Sequence, residues 1–359
     1  MFVAWRDLRF AKGRFALMGT VVVLITLLVG LLSGLTAGLA RENTSAITGL
    51  PADHLAFAKP PAGQSVSFTN STLPEKSWQT WAGQDGVRSA EPIGIRTLNG
   101  GAGDRTAAVS AFGVEPDAKI APRGLAPGRA VLSEKAATEL DVRAGDKVRL
   151  GTLELNVAAV AGSASYSHTP VVWTTLDDWQ RVGHNGTSLD EQATVIALST
   201  GGGADLAAGD KAAGTESRGL DDALSAIGSY QAENGSLQLM RGFLFAISAL
   251  VIGAFFTVWT IQRSADIAVL KALGAGTPYL LKDALGQAVL MLSAGCGLGT
   301  ALAAGIGGVI SGGDVPFVLD APTVLVPAAV MIVLGVLGAA LSIRRITAVD
   351  PLVALGSAR

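Results

Sequence analysis

Four long apolar stretches dominate this sequence, at residues 15–39, 239–261, 280–310 and 323–343. A helix rises 1.5 Å per residue, so about 20 apolar residues cross a bilayer core about 30 Å thick. Each stretch reaches that length with no charge in its middle. The sequence therefore predicts an α-helical membrane protein with four transmembrane helices.

The first stretch could also be a cleavable signal peptide. Basic residues precede it, and Gly38 and Ala40 would suit a cleavage site. A signal-peptide core has about 7 to 15 apolar residues, whereas this run extends over residues 15–39. The length favours a helix that is retained as TM1.

The distribution of charge predicts the orientation of these helices. Lys and Arg cluster before the first stretch, between the second and third, and after the fourth, whereas the loop between the third and fourth contains Asp314 and Asp320 and no basic residue. Short basic loops stay in the cytoplasm, so both termini are expected there and the large polar segment outside. Residues 41–241 contain 17 basic and 23 acidic residues, a balance that does not indicate nucleic-acid binding.

The number and position of cysteines help to indicate the cellular location. Cys296, the only cysteine, lies within the third apolar stretch, so no disulfide can stabilise the external segment. That segment has about 200 residues, enough to fold around its own core. An Ala- and Gly-rich chain without disulfides is typical of bacteria, and the bacterial plasma (inner) membrane is the expected location.

The external segment has a mixed α/β (α+β) pattern. A hairpin is expected at Gly151-Thr152, and short helices are expected at 134–140, after a Ser133 cap, and at 176–182. Strand candidates are runs that alternate in polarity or are rich in β-branched residues. These runs are 65–69, 88–98, 106–114, 147–160, 171–174 and 194–198.

Helical stalks are expected where this segment joins the spans. From Leu220 the pattern predicts a helix that runs into the second span, with its weakest point at 234–236, and the first span is expected to extend past Arg41. The predicted order is an amphipathic N-terminal helix (1–14), TM1 (15–40), the extracellular domain with its stalks (41–236), TM2 (237–262), a cytoplasmic coupling helix (263–278), TM3 (279–310), a short extracellular loop (311–321), TM4 (322–343) and a cytoplasmic tail (344–359).

The sequence contains no catalytic signature. It has three histidines, and it lacks HExxH, Cys/His metal spacing, the GxSxG elbow and the GxxxxGK[ST] phosphate loop. We expect no catalytic residue, no intrinsic cofactor and no ATP binding by this chain alone. The glycine-rich runs 100–103 and 201–203 lack the strand and helix that flank a phosphate site, so they are interpreted as flexible loops.

Short amphipathic helices are predicted on the cytoplasmic side. Residues 264–273 have an apolar face that would be wasted in a solvated linker, which favours a docking face for a cytoplasmic partner. Residues 2–10 form a second amphipathic piece, suited to the surface of membrane lipid. The residues expected to form and end the docking helix are Asp266, Ile267, Leu270, Leu273 and Gly274.

The segment 266–275, followed by a glycine-rich third span, resembles the coupling segment of MacB/FtsX-type ABC transporter permeases. The tail at 346–355, the run 130–148 and the order of spans are similar to the same family. The resemblance implies a homodimer with two copies of a separate cytoplasmic ABC ATPase, which binds the ATP. It also implies that the docking helix seats in the ATPase and that nucleotide binding moves the external domain, a mechanism called mechanotransmission.

Within this family, the short external domain and the N-terminal run 4–15 look most like haem-exporting HrtB-type and DevC-type permeases. Haem has a flat apolar ring and two carboxylates, so an exporter would take it sideways from the membrane. Gly30, Gly34 and Gly38 stand four apart on TM1, a pattern that leaves a slot or lets helices approach closely. The haem-binding candidates are Arg41, Glu42, Tyr166, His168, Tyr230, Met240 and Arg241, of which Glu42, Met240 and Tyr230 are candidate ligands of the haem iron.

Simpler interpretations of these residues remain open. The glycine face could serve helix packing alone. Arg41 and Arg241 could be interfacial anchors that extend to lipid headgroups. Tyr166 and His168 could be ordinary surface residues, and Met240 could simply fill space between side chains.

Two other functions also remain open. The chain could export another amphiphile, such as a drug, a lipid or a lipoprotein. It could instead be an FtsX-like regulatory protein that activates a cell-wall enzyme and moves no substrate. A regulator would need an exposed apolar patch on the external domain, for which Trp78 and Trp81 are candidates, although the pattern favours their burial in the core.

Overall fold

The computed structural model describes residues 12–183, 192–262, 269, 274, 276–310 and 315–347. The chain divides into two compact units, a membrane unit of Met1–Gly38 and Gly235–Arg359 and an inserted domain of Leu39–Asn234. Most of the predicted N-terminal and coupling helices, and the end of the predicted tail, lie outside the described residues.

Four long helices contain the apolar stretches. They are α1 (Lys12–Thr48), α7 (Tyr230–Gln262), α8 (Thr277–Ile310) and α9 (Ala321–Thr347). Each is long and apolar enough to cross a membrane. The inserted domain lies in sequence between the first and second of them, which confirms the predicted fold class.

The helices of the membrane unit share a small apolar core. Val22 of α1, Phe256 of α7, Leu292 and Cys296 of α8 and Met331 of α9 are buried in it. Large apolar side chains on the other helix faces remain exposed, including Leu24, Leu28, Phe243, Leu250 and Leu341. Such faces suit contact with lipid rather than water.

The inserted domain alternates short helices with strands. Its strands are β1 (His54–Ala58), β2 (Leu73–Pro74), β3 (Val87–Ala102), β4 (Arg105–Val114), β5 (Arg129–Leu132), β6 (Lys147–Leu150), β7 (Leu153–Val160), β8 (Ser165–Tyr166), β9 (Thr169–Thr175), β10 (Gln192–Ala193), β11 (Val195–Thr200) and β12 (Thr215–Gly219). Its helices are α2 (Glu75–Ala82), α3 (Glu134–Leu140), α4 (Leu176–Gly183), α5 (Leu206–Ala213) and α6 (Leu220–Ala223), the last followed by a 3-10 turn at Leu224–Ala226.

Most of the described strands join one ten-stranded sheet. Its order is β12-β1-β11-β3-β4-β9-β5-β7-β6, with β8 added to β9, while β2 and β10 pair separately. Strand β6 also pairs with β3 at Gly100 and Gly101. Six strands, from β3 through β4, β9, β5, β7 and β6, therefore close on themselves as in a small barrel.

Two apolar clusters fill the inserted domain. One contains Trp81, Leu140, Leu150 and Trp179, and α2, α3 and α4 contribute to it. The other contains Phe57 and further aromatic residues together with Ile47 from the end of α1. Because α1 contributes a fully buried side chain to the second cluster, the last turns of this helix are an integral part of the inserted domain.

The local predictions were confirmed where capping or periodicity was strong. Helix α3 begins after Ser133, whose side chain accepts a hydrogen bond from the Ala136 amide, and a hairpin turn joins β6 to β7 at Gly151-Thr152. Strands β3, β4 and β9 cover three of the predicted strand runs, β11 covers a fourth except for its first residue, and α1 continues past Arg41 to Thr48.

Three local predictions were wrong. Residues 65–69 form no strand, because Val66 and Phe68 are buried within an irregular segment. Gly100 and Gly101 are not a loop, since they lie in β3 and pair with both β4 and β6. The helix expected from Leu220 is interrupted after Ala226, where Ile227 is extended with ψ 117°, and α7 then runs unbroken through 234–236.

Candidate functional site

A polar cluster joins the two long helices within the inserted domain. Asn43, near the end of α1, is 1% exposed, and its Nδ2 donates to Glu233 Oε2 in the first turn of α7 at 2.9 Å. His168 Nε2 lies 2.8 Å from the same carboxylate oxygen and 3.2 Å from Asn43 Nδ2. Ser229 Oγ, 3.4 Å from Asn43 Nδ2, completes the cluster.

An unusual turn places His168 in this cluster. Ser167 and His168 both adopt left-handed backbone conformations, with φ of 49° and 63°, which costs free energy for residues other than glycine. The Ser167 amide donates to the Asn43 carbonyl at 3.0 Å, and the His168 amide to the Glu42 carbonyl at 3.3 Å. The turn is thus fixed against α1, and these contacts offset the strain.

The two predicted candidates at the end of α1 have different surroundings. Glu42 Oε1 forms an ion pair with Lys135 Nζ of α3 at 2.5 Å. Arg41 is exposed and borders an open depression of about 470 Å³ that is also lined by Ser45 and Ser163. Arg41 can therefore meet an anion directly, whereas Glu42 would have to leave Lys135 before it could bind a cation or a metal.

The tyrosines are more enclosed than the sequence indicated. Tyr166 is 7% exposed and packs edge-on against Phe68 and Phe112. Burial raises the pKa of its hydroxyl, so the group stays neutral. Tyr230 is half-buried and packs against the second apolar cluster. The interpretation of Tyr166 as a surface residue was therefore wrong, because its ring is part of the core.

The remaining candidates lie on α7 in the membrane unit. The side chain of Met240 is 56% exposed, and that of Arg241 is half-buried. Among the residues that the structure describes, no three His, Cys, Asp or Glu side chains come together as a metal site.

The glycine face of α1 is occupied by neighbouring parts of the membrane unit. A Cβ atom on Gly30 would lie 2.8 Å from the Ala303 Cβ of α8, and one on Gly34 would lie 2.2 Å from the Phe317 ring. A Cβ on Gly38 would lie 2.0 Å from the Pro316 carbonyl oxygen. The missing side chains thus let the segment before α9 lie directly against α1.

Little free space remains at this face. The cavity beside Gly30, Gly34 and Phe317 has a volume of about 10 Å³, about the room of one water molecule. The Val318 amide donates to the Gly34 carbonyl at 3.1 Å and holds the segment in place. In this conformation the glycines accommodate protein, and a flat ligand could enter only if the segment moved.

Of the predicted docking residues, only Gly274 belongs to the part of the chain that the structure describes. Asp266, Ile267, Leu270 and Leu273 lie outside the described residues. Gly274 is described, and its φ of 94° is in the left-handed region that glycine adopts without strain. This is the conformation expected of a glycine that ends a helix.

Sequence reasoning missed the partners that complete the polar cluster. Asn43 and Glu233 are 190 positions apart, and Lys135 is 93 positions from Glu42. One sequence signal pointed to this region: in α1 and α7, the helical pattern continues beyond the apolar stretch into polar residues. Nothing in a single sequence indicates which of these residues meet.

Asn43→Leu is expected to loosen this cluster. The substitution removes the donor that joins α1 to α7 and leaves polar groups of Glu233 and Ser229 less well satisfied, at a cost of about 1–3 kcal/mol. Hydrogen–deuterium exchange of the full-length protein should become faster in peptides covering 165–170 and 229–234. Asn70→Leu, at an exposed asparagine, should leave both peptides unchanged. Equal exchange in the two variants would show that the cluster does not hold the helices.

Comparison with known proteins identifies relatives along the whole chain. The family model of the MacB-like periplasmic core domain matches residues 15–215, and that of the FtsX-like permease C-terminal region matches residues 239–351. A Staphylococcus haemolyticus protein named "Putative hemin transport system permease protein HrtB" is 30% identical, over 99% of each chain. A Staphylococcus epidermidis protein of the same name is 26% identical, also over 99% of each chain.

The name of a further relative states its transporter class and no substrate. It is an uncharacterized ABC transporter permease from Mycobacterium bovis, 25% identical over 99% of each chain. The periplasmic-core match covers more than half of this chain, and the similarity to the Staphylococcus haemolyticus protein extends from end to end. The chain therefore belongs to the MacB/FtsX-type family of ABC transporter permeases.

Proposed function

We propose that this chain is the membrane subunit of an ATP-driven exporter and that its cargo is haem. The observation that carries the proposal is the full-length similarity to relatives named for hemin transport. In the proposed orientation both termini are in the cytoplasm and the inserted domain is outside, as the basic loops favour. The chain forms a homodimer and binds two copies of a cytoplasmic ABC ATPase.

In this proposal the long helices carry motion to the inserted domain. α1 and α7 each continue without a break from a membrane-length apolar stretch into the inserted domain. An unbroken helix transmits movement along its axis because its backbone hydrogen bonds keep its length fixed. The Asn43–Glu233 hydrogen bond would make the two helices move together. The docking residues Asp266, Ile267, Leu270, Leu273 and Gly274 would receive the motion from the ATPase.

The proposed haem contacts follow the chemistry of the cargo. Arg41 and Arg241 would bind the propionates, and Glu42, Met240 or Tyr230 would ligate the iron. Glu42 would have to exchange its Lys135 partner for the metal. Tyr166 and His168 serve in the core and in the polar cluster, so their part would be to support the site. The face of Gly30, Gly34 and Gly38 would open as a slot when the segment at Pro316 and Phe317 moves.

The structure offers little support for the regulatory alternative. The patch considered for a cell-wall enzyme does not exist, because Trp78 is 9% exposed and Trp81 is fully buried. Their rings belong to the first apolar cluster of the inserted domain. A partner enzyme would need another surface.

A haem titration tests the proposal. The detergent-purified complex with its ATPase is titrated with haem while the Soret band is followed, in the wild type and in the double variant Glu42→Ala/Met240→Ala. We expect saturable binding that is at least about tenfold weaker in the double variant, since two candidate ligands are lost. The control is Glu75→Ala/Leu239→Ala, which removes an exposed carboxylate and the exposed neighbour of Met240.

The possible results test the identity of the cargo and the identity of its ligands separately. Absence of saturable binding in the wild type would contradict haem as the cargo and favour another amphiphile. Saturable binding of equal affinity in both double variants would keep haem and reject Glu42 and Met240 as its ligands. Membership of the permease family rests on the sequence comparison and is unaffected by either result.

A further inference from the structure

The inserted domain contains a cavity that the proposed transport cycle does not use. Its volume is about 430 Å³, and its walls include Phe68, Ile95, Arg96, Tyr166 and Trp179. Pockets that hold small molecules have volumes of about 300–1,000 Å³ and combine apolar walls with a few polar groups. The volume of this cavity falls in that range, and its walls combine aromatic side chains with a larger number of polar ones.

The cavity lies at a gap along the edge of β3. Strand β11 pairs with β3 only from Val87 to Ile93, and β6 pairs with it only at Gly100 and Gly101. In between, β4 is the sole described strand that pairs with β3. Thr194 closes one end of the gap, where its hydroxyl accepts a hydrogen bond from the Ile95 amide at 2.8 Å. The sheet itself therefore frames the opening.

Arg96 places a positive charge at the wall of the cavity. Its side chain is half-buried, and its guanidinium carbon lies 5.0 Å from the centre of the Trp179 ring. No carboxylate of a described residue pairs with it. A cation withdrawn from water without a counter-charge is costly, and a bound anion would remove that cost. Guanidinium groups bind carboxylates through two parallel hydrogen bonds.

Most other polar groups around the cavity are already engaged. The Ser71 hydroxyl donates to the Thr194 carbonyl at 2.6 Å, and the Thr97 hydroxyl lies 3.0 Å from Ser110 Oγ. The Tyr166 hydroxyl has no hydrogen-bond partner within the described part of the chain, and burial raises its pKa so that it remains a donor. Among the described lining residues, Arg96 and Tyr166 are therefore two donors that a ligand could use.

We propose that this cavity binds a small organic anion with a flat apolar body. Its carboxylate would lie on Arg96 and the Tyr166 hydroxyl, and its apolar part would lie against Phe68, Ile95 and Trp179. Aromatic walls favour a planar body because ring–ring contacts add to the gain from burial. All described residues of this site belong to the inserted domain, and Tyr166 is the one that it shares with the proposed haem contacts.

Calorimetric titration with 2-naphthoate tests the site. The full-length protein is placed in lipid nanodiscs, and empty nanodiscs correct for partition of the probe into lipid. We expect one saturable site in the wild type, with the Kd raised about tenfold or more in Arg96→Gln and for the neutral analogue 2-naphthamide. Tyr166→Phe should raise the Kd severalfold. Arg123→Gln removes an exposed arginine of the same domain and should bind like the wild type.

Two results would overturn the proposal. One is the absence of saturable binding by the wild type up to about 1 mM probe, which corresponds to weak affinity. The other is an unchanged Kd in Arg96→Gln. If that variant does not fold, Thr72→Phe decides, because Thr72 is an exposed wall residue and a larger ring there fills the opening while Arg96 is kept. Unchanged binding by Thr72→Phe would also reject the site.

Discussion

Trp81→Ala is expected to lower the free energy of unfolding of the inserted domain by about 3–5 kcal/mol. The side chain is fully buried, and its Nε1–H donates to Thr215 Oγ1 at 3.0 Å. Gly209 of α5 lies so close that an added Cβ would be 2.2 Å from the ring. Trp81 thus joins α2, α5 and β12, and its removal leaves a cavity that rigid neighbours cannot close.

The measurement for this variant is the urea dependence of proteolysis of the full-length protein. The urea midpoint for cleavage within the inserted domain should fall strongly in Trp81→Ala. Gln79→Ala, at an exposed position of the same helix, should stay within about 0.5 kcal/mol of the wild type. Equal midpoints for the two variants would show that the Trp81 contacts do not stabilise the domain.

Gly38→Ala is expected to destabilise the membrane unit by about 1–3 kcal/mol or more. The added Cβ would meet backbone, the Pro316 carbonyl oxygen at 2.0 Å, so no side-chain rotation can relieve the clash. The segment before α9 would have to leave α1 and lose the hydrogen bond from the Val318 amide to Gly34. In the proposed transport cycle this face opens, so the same shift would also alter the proposed export.

A matched control separates this clash from helix propensity. Gly19 lies on the same helix and has nothing within 4 Å of an added Cβ, so Gly19→Ala should be neutral or stabilising by up to about 1 kcal/mol. Cys296 is buried in the membrane unit, and its reaction with a thiol-reactive dye during heating reports unfolding there. The expected result is a lower melting temperature for Gly38→Ala than for Gly19→Ala. If the two melt together, the close packing at Gly38 is not maintained in the protein.

The large-scale architecture was predictable because it depends on length and periodicity. Apolar runs of membrane-spanning length left few alternatives to four helices. The Ser133 cap and the Gly151-Thr152 hairpin were readable because both signals are local. Strand β1 was missed, since HLAFA shows no alternation when both of its faces are covered.

The details of the candidate site were less predictable because they depend on contacts distant in sequence. The pattern at Val66 and Phe68 alternates as in a strand, yet these side chains only anchor an irregular segment. Gly100 and Gly101 form part of a strand because β6 approaches from far along the chain. The glycine face of α1 was recognised from sequence, but its occupant, Phe317, could be identified only from the structure.

The closure of the sheet on β3 has a consequence for solubility. Unpaired edge strands recruit other chains and promote aggregation. At the β6 end, pairing with β3 covers part of the edge, whereas β12, at the other end of the strand order, has no described strand on its outer side. Glu216 and Arg218 form an ion pair on that strand, and such charges discourage a second chain from adding there. We therefore expect these charges to disfavour edge-to-edge association between inserted domains.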